Sequence, residues 1–230
     1  MALMVIAGAS RGIGLELARQ AAARGDEVLA CARRPDAAPA LAALCERSGG
    51  RVRAAALDVT DPDSCDRAAR ELGARQADLL VCNAGVFIGR GGLDDPALDA
   101  RAWRETLITN VAGPFFVVRA FRARMRRPGG KIAVIGSRMG SSAAASGDAY
   151  AYRASKAAAA NLALNLSREL APEGLAVGVW HPGWVATEMG GPRAALTPER
   201  SARDLLARFD ALTLARTGLF EDHEGRLIPF

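Results

Sequence analysis

Lysine is almost missing from this sequence: of 30 Lys and Arg residues, only Lys131 and Lys156 are lysine. Histidine and tyrosine occur twice each, and the four cysteines, Cys31, Cys45, Cys65 and Cys82, stand far apart with no CxxC pair. With so few ligands at metal spacing and no paired thiols, neither a metal site nor a disulfide framework is expected, and the expected compartment is a reducing cytoplasm. Apolar runs of the ~18 residues needed to cross a bilayer are absent. The apolar start Met1–Ala7 lacks a basic leader and runs straight into Gly8-Ala9-Ser10-Arg11-Gly12, so it reads as a first strand and not as a secretion signal. A net charge of +5 with 5 % aromatics gives no basic face interleaved with stacking rings, so no nucleic-acid partner is expected. The densest basic group, Arg122, Arg124, Arg126 and Arg127, ends a helical segment before Pro128-Gly129-Gly130, where cations complement the helix dipole.

Half of the 230 residues are apolar and 24 % are charged, the balance of an ordered chain with a core. Strand-like runs at Leu3–Ala7, Glu27–Ala32, Val52–Leu57, Asp78–Cys82, Lys131–Ile135, Ala176–Trp180 and Leu219–Phe220 alternate with helical stretches. The helices are expected at Ile13–Arg24, Ala38–Arg47, Pro62–Leu72, Ala97–Arg126, Asp148–Leu170 and Ser201–Leu214. Such alternation predicts an α/β fold: a doubly wound parallel sheet of the Rossmann type with helices on both faces, α/β/α. No repeat, linker or low-complexity tract divides the chain, so one domain over residues 1–230 is expected. Val111–Phe121 and Ala154–Leu166 are apolar all round, which fits either well-covered core helices or helices packed against a second copy. A homodimer or homotetramer is the expectation drawn from them.

Gly8-Ala9-Ser10-Arg11-Gly12-Ile13-Gly14 joins the first strand to the first helix. Glycines at such a turn let the backbone approach a pyrophosphate, which the helix N-terminus attracts. The spacing G-x-x-x-G-x-G departs from G-x-G-x-x-G, and no Gly-Lys-Ser/Thr follows as a P-loop requires. Arg33 and Arg34 end the second strand, where a carboxylate would hold the ribose hydroxyls of NAD; with Arg11 they predict a 2′-phosphate pocket and hence NADP. Tyr152 and Lys156 stand four apart on a predicted helix and share a face. A phenol titrates near 10, and an ammonium beside it in a dehydrated cleft is expected to lower that value. Ser137 follows the Lys131–Ile135 strand at the carboxyl edge, where open α/β sheets bind ligands. A hydrolase reading would join Ser137 to His181 and Asp148, but the elbow G-x-S-x-G is absent because position 135 is Ile.

In this order, over nearly the whole chain, the motifs resemble the short-chain dehydrogenase/reductase family of the Tyr/Lys type. Gly8, Gly12 and Gly14, with Ser10, Arg11 and Ile13 between them, match its glycine loop. Asp58-Val59 matches its adenine contact, and Asn83-Ala84-Gly85 a motif that steadies the sheet beside the cofactor. Asn110, Ser137, Tyr152 and Lys156 match its catalytic tetrad, and Pro182-Gly183-Trp184-Val185-Ala186-Thr187 its nicotinamide and pyrophosphate contacts. Ala7 and Cys82 stand where that family commonly has Thr and Asn, and neither change removes a catalytic group. The ending Gly218–Phe230 resembles the C-factor/sniffer-like group of short NADPH-dependent carbonyl reductases. The resemblance implies that Tyr152 protonates the oxygen of a small carbonyl substrate, or deprotonates the alcohol, while hydride passes to or from NADP. Ser137 would hold the oxygen, Lys156 the nicotinamide ribose, and Asn110 a relay water. Specificity is expected from Arg138–Gly147, Phe87-Ile88, Trp184 and Glu188–Arg200. The alternative is a non-catalytic NADP-binding regulator, which needs the glycine loop but not Tyr152, Lys156 and Ser137.

Overall fold

Seven parallel strands form one sheet in the computed structural model, which describes residues 1–230. They are β1 (Leu3–Ala7), β2 (Glu27–Ala32), β3 (Val52–Ala56), β4 (Leu79–Cys82), β5 (Lys131–Ile135), β6 (Ala176–His181) and β7 (Leu219–Asp222), in the order β3-β2-β1-β4-β5-β6-β7. Seven helices accompany them: α1 (Gly12–Ala23), α2 (Pro39–Arg47), α3 (Pro62–Arg70), α4 (Ala100–Leu107), α5 (Gly113–Phe121), α6 (Tyr150–Leu170) and α7 (Pro198–Asp210). No helix is long and apolar enough to cross a membrane.

Side chains alternate across a strand, so each strand feeds two cores. Met4 and Ile6 of β1 pack with Leu17 of α1, Leu41 of α2 and Phe209 of α7. Leu3, Val5 and Ala7 face the other way, toward Cys65 of α3, Phe121 of α5 and Leu166 of α6. Trp180 of β6 is fully buried and meets Phe209 edge-on, with ring centroids 5.0 Å apart. Its indole N–H donates to Glu221 at 2.9 Å, and Arg216 supplies the second partner of that buried carboxylate. Truncating Trp180 to Ala would open a cavity at a cost of about 3–5 kcal/mol. At the amino edge of the sheet, Arg126 pairs with Asp78 at 2.7 Å, Arg127 with Glu173 at 2.8 Å, and Arg122 with Glu173. Arg124 donates to the Gly73 carbonyl. The basic cluster of the sequence is thus tied locally.

The strands match their expected positions within two residues, but the expected helix Ala97–Arg126 is broken. Residues Ile108–Ala112 form a widened π turn between α4 and α5. Pro114 has no N–H to donate to the carbonyl four residues back, and its ring would clash there. That carbonyl belongs to Asn110, so the wide turn falls on a predicted site residue, as π bulges often do.

Because every strand runs the same way, their carboxyl ends share one edge. Strand order reverses between β1 and β4, the switch point at whose carboxyl edge open α/β sheets form their ligand crevice.

Candidate active site

Gly8 leaves β1 with φ +93°, and a Cβ on it would lie 2.7 Å from the Ala84 backbone. Only glycine lets the loops after β1 and β4 approach this closely. Asn83 secures the contact, its amide donating to the Gly8 carbonyl at 2.6 Å. A Cβ on Gly14 would sit 2.1 Å from the same carbonyl, so this glycine serves the packing of α1 on β1.

The crevice is a cleft of about 800 Å³. It gathers Gly8, Ser10, Arg11, Gly12 and Ile13 from the loop, Arg33 beyond β2, and Asp58 and Val59 beyond β3. Asn83, Ala84 and Gly85 follow β4, Tyr152 and Lys156 come from α6, and Pro182 and Thr187 from the segment after β6. Gly14, Asn110, Ser137, Gly183 and Val185 do not line it. Nor does any residue of Arg138–Gly147, contrary to expectation. Gly140 explains why: a Cβ there would meet the Lys156 backbone at 2.6 Å, so this segment is pressed against α6. Phe87, Ile88, Glu188, Met189 and Pro198 do line the cleft, whereas Trp184 is exposed, its indole N–H held by the Gly190 carbonyl.

Tyr152 and Lys156 are 7 % and 6 % exposed and meet at the inner wall. The Lys156 Nζ lies 5.6 Å from the Tyr152 ring centroid and donates to the Ile135 carbonyl at 2.8 Å. Burial pushes the phenol up to about 12, against the pull of the Ser137 hydroxyl and the Arg90 guanidinium. Burial also lowers the ammonium to about 8. The expected lowering of the phenol by Lys156 is therefore not met. The dehydration that would strengthen the attraction disfavours the phenolate more, and the ammonium is turned to a carbonyl instead. The other face of Tyr152 is covered by Phe87, stacked at 4.0 Å with an 11° tilt.

Asn110 is 1 % exposed and has no amide group to spare: its Oδ1 accepts from the Val86 N–H, and its Nδ2 donates to the Val86 carbonyl and to Ser155. It clamps the loop after β4 to α6. Ser137 is buried too, its hydroxyl accepting from the Met139 N–H at 3.2 Å. The hydrolase triad is not assembled, since Asp148 pairs with Arg153 and His181 Nδ1 has no partner.

Arg33 is exposed and has no acidic partner. Arg11, expected beside it in a phosphate pocket, instead reaches Glu188 at 3.0 Å across the cleft mouth. Sequence reading also missed Ser155, Arg90 and Ala149. Ser155 sits beside Lys156, and Arg90 lies among Gly89, Gly91 and Gly92, which were their available signals. Ala149 starts α6 at φ +49°, the one non-glycine residue with positive φ, and no sequence signal marks it.

The short chain dehydrogenase family model matches residues 2–196. The chain belongs to that family. An uncharacterised oxidoreductase of Schizosaccharomyces pombe is 34 % identical over 98 % of this chain and 96 % of its own. A carbonyl reductase from Pseudomonas aeruginosa PAO1 is 37 % identical, with TM-score 0.90 and full coverage of both chains. A Burkholderia multivorans protein solved with bound NADP is 31 % identical, with TM-score 0.92 over 100 % of this chain and 99 % of that one. As in other short-chain dehydrogenases, the sheet and helices serve nicotinamide-linked oxidoreduction of small molecules.

Proposed function

We propose that this short-chain dehydrogenase is an NADPH-dependent reductase that interconverts a carbonyl and an alcohol, with Tyr152 as the acid and base. The carrying observation is one cleft with the glycine loop and partner-free Arg33 at one end and the buried pair Tyr152–Lys156 at the other. A dinucleotide fits this chain. The Gly8–Gly12 backbone and the start of α1 would hold the pyrophosphate, Asp58 and Val59 the adenine, Arg33 the 2′-phosphate, and Lys156 the nicotinamide ribose. Pro182 and Thr187 would frame the nicotinamide side, with Gly183 and Val185 shaping their segment from behind the cleft wall. When bound, the cofactor supplies the hydride.

Held near 12, the phenol is fully protonated at neutral pH and loaded as the proton donor that reduction requires. Ser137 would orient the substrate oxygen, and Asn110 acts as a positioning residue through Val86 and Ser155. The Burkholderia protein with bound NADP and the Pseudomonas carbonyl reductase support the same reading. The chain would work as one dinucleotide-binding and catalytic domain. Its four unpaired thiols suit a reducing cytoplasm. Exposed Leu107, Ile108 and Phe115 support a dimer or tetramer built through α4 and α5.

Titrating both cofactors tests the nucleotide choice. NADPH should bind about 10-fold or more tightly than NADH, the scale of one charge-assisted contact, and Arg33→Ala should erase most of that gap. Equal dissociation constants for the wild type would contradict it.

A further inference from the structure

Three arginines line the cleft. Arg11 is matched by Glu188, and Arg33 lies at the adenosine end. Arg90 is the third, and it lies at the catalytic end with no carboxylate partner. Its guanidinium sits 4.1 Å from the Phe87 ring centroid, and Phe87 stacks at 4.0 Å on Tyr152. One N–H donates to the Met189 carbonyl. The segment carrying it is pinned on both sides of Gly91, whose N–H donates to Asp95 at 2.7 Å and whose carbonyl accepts from Ala149 at 2.9 Å. Arg90 thus has a fixed place relative to the start of α6, and hence to Tyr152.

We propose that Arg90 anchors an anionic group of the substrate, so that the preferred carbonyl compounds carry a carboxylate about one aromatic ring away from the carbonyl. This rests on the reductase reading of the cleft. A guanidinium fork binds a carboxylate through two charge-assisted hydrogen bonds. Its present partners, an aromatic face and one neutral carbonyl, are weaker and yield to such an anion. The spacing follows from the stack: Phe87 separates the guanidinium from the phenol, so a 2-oxo acid is too short to reach both. Phe87 and Ile88 supply apolar walls for the spacer.

The probes are 4-formylbenzoate and its methyl ester, reduced with NADPH. Arg90 also pulls on the Tyr152 phenol, so the readout is the ratio of kcat/KM for the two substrates. The wild type should favour the acid by about 10-fold or more. Arg90→Met should remove the preference through the KM of the acid, and Arg90→Lys should restore part of it. A wild-type ratio near one, an unchanged ratio in Arg90→Met, or NADPH binding weakened by the same factor would overturn the anchor. The last result would assign the cation to the cofactor. Calorimetric titration with terephthalate, which cannot be reduced, reads the anchor alone. Binding weakened about 10-fold in Arg90→Met supports the anchor, and absence of binding to the wild type overturns it. If terephthalate binds in this way but neither aldehyde turns over, the reductase reading fails and the anchor stands.

Discussion

An ammonium at 6 % exposure is costly in any fold, and Lys156 has one carbonyl, that of Ile135, to hold its charge. Lowering this group from 10.5 to about 8 costs the folded state about 3 kcal/mol at pH 7. Between those two pH values the unfolded chain binds more protons than the folded one, so stability rises with pH across that window. The penalty is complete below 8 and gone above 10.5. Lys156→Met keeps the volume, removes the charge and leaves the Ile135 carbonyl without its donor, which returns about 1 kcal/mol of the gain. A net gain of about 2 kcal/mol should raise Tm at pH 7 by about 5 °C while turnover collapses. Thermal unfolding of both proteins from pH 7 to 10.5 checks this: the gap should shrink steadily above pH 8. A variant less stable than the wild type at pH 7 would refute the assignment of burial as the dominant influence on Lys156.

The elements that position the site differ in how plainly the sequence announces them. Strands β1, β2, β4, β5 and β6 are short, mostly aliphatic runs bounded by turn residues and almost wholly buried, so their pattern is dense and easily read, whereas the edge strands β3 and β7 carry charged residues. The Gly8–Gly14 loop and the Tyr152/Lys156 pair were equally legible, because lysine and tyrosine are scarce and glycine spacing has a direct steric meaning. The break in the long helix was written in Gly113-Pro114, but helical periodicity on either side concealed it. Ala149 left no trace at all. Alanine avoids the left-handed region at a cost of about 1–2 kcal/mol, and here the Gly91 carbonyl and the surrounding packing impose it. The pairing of Arg11 with Glu188 was also beyond reach, since it joins loops far apart in sequence across a cleft that only the folded sheet creates. The phenol was misjudged for a related reason. Spacing on a helix says which groups share a face, but not how much water reaches them, and dehydration decides the sign.

At the scale of the whole molecule, the outward faces of the two all-apolar helices prove unequal. On α6 the exposed positions are Ala154, Ala157, Asn161, Asn165, Arg168 and Glu169, small, polar or charged, whereas α4, the π turn and α5 expose the apolar side chains Leu107, Ile108 and Phe115. Large apolar side chains exposed in this way suit a two-fold interface. Sedimentation at micromolar concentration should therefore give a species of at least twice 24.1 kDa, reduced to the monomer by Phe115→Glu. A wild-type monomer would rule the interface out and leave the chemistry untouched. The proposed chemistry rests on one hydroxyl. Tyr152 faces the cleft beside Lys156, while Tyr150, two residues earlier, points elsewhere on α6 and does not line it. The deciding measurement is NADPH consumption over a panel of aldehydes, ketones and quinones by the wild type, Tyr152→Phe and Tyr150→Phe. The account predicts wild-type turnover that falls about 10²-fold or more in Tyr152→Phe and persists in Tyr150→Phe; wild-type rates in Tyr152→Phe would contradict it.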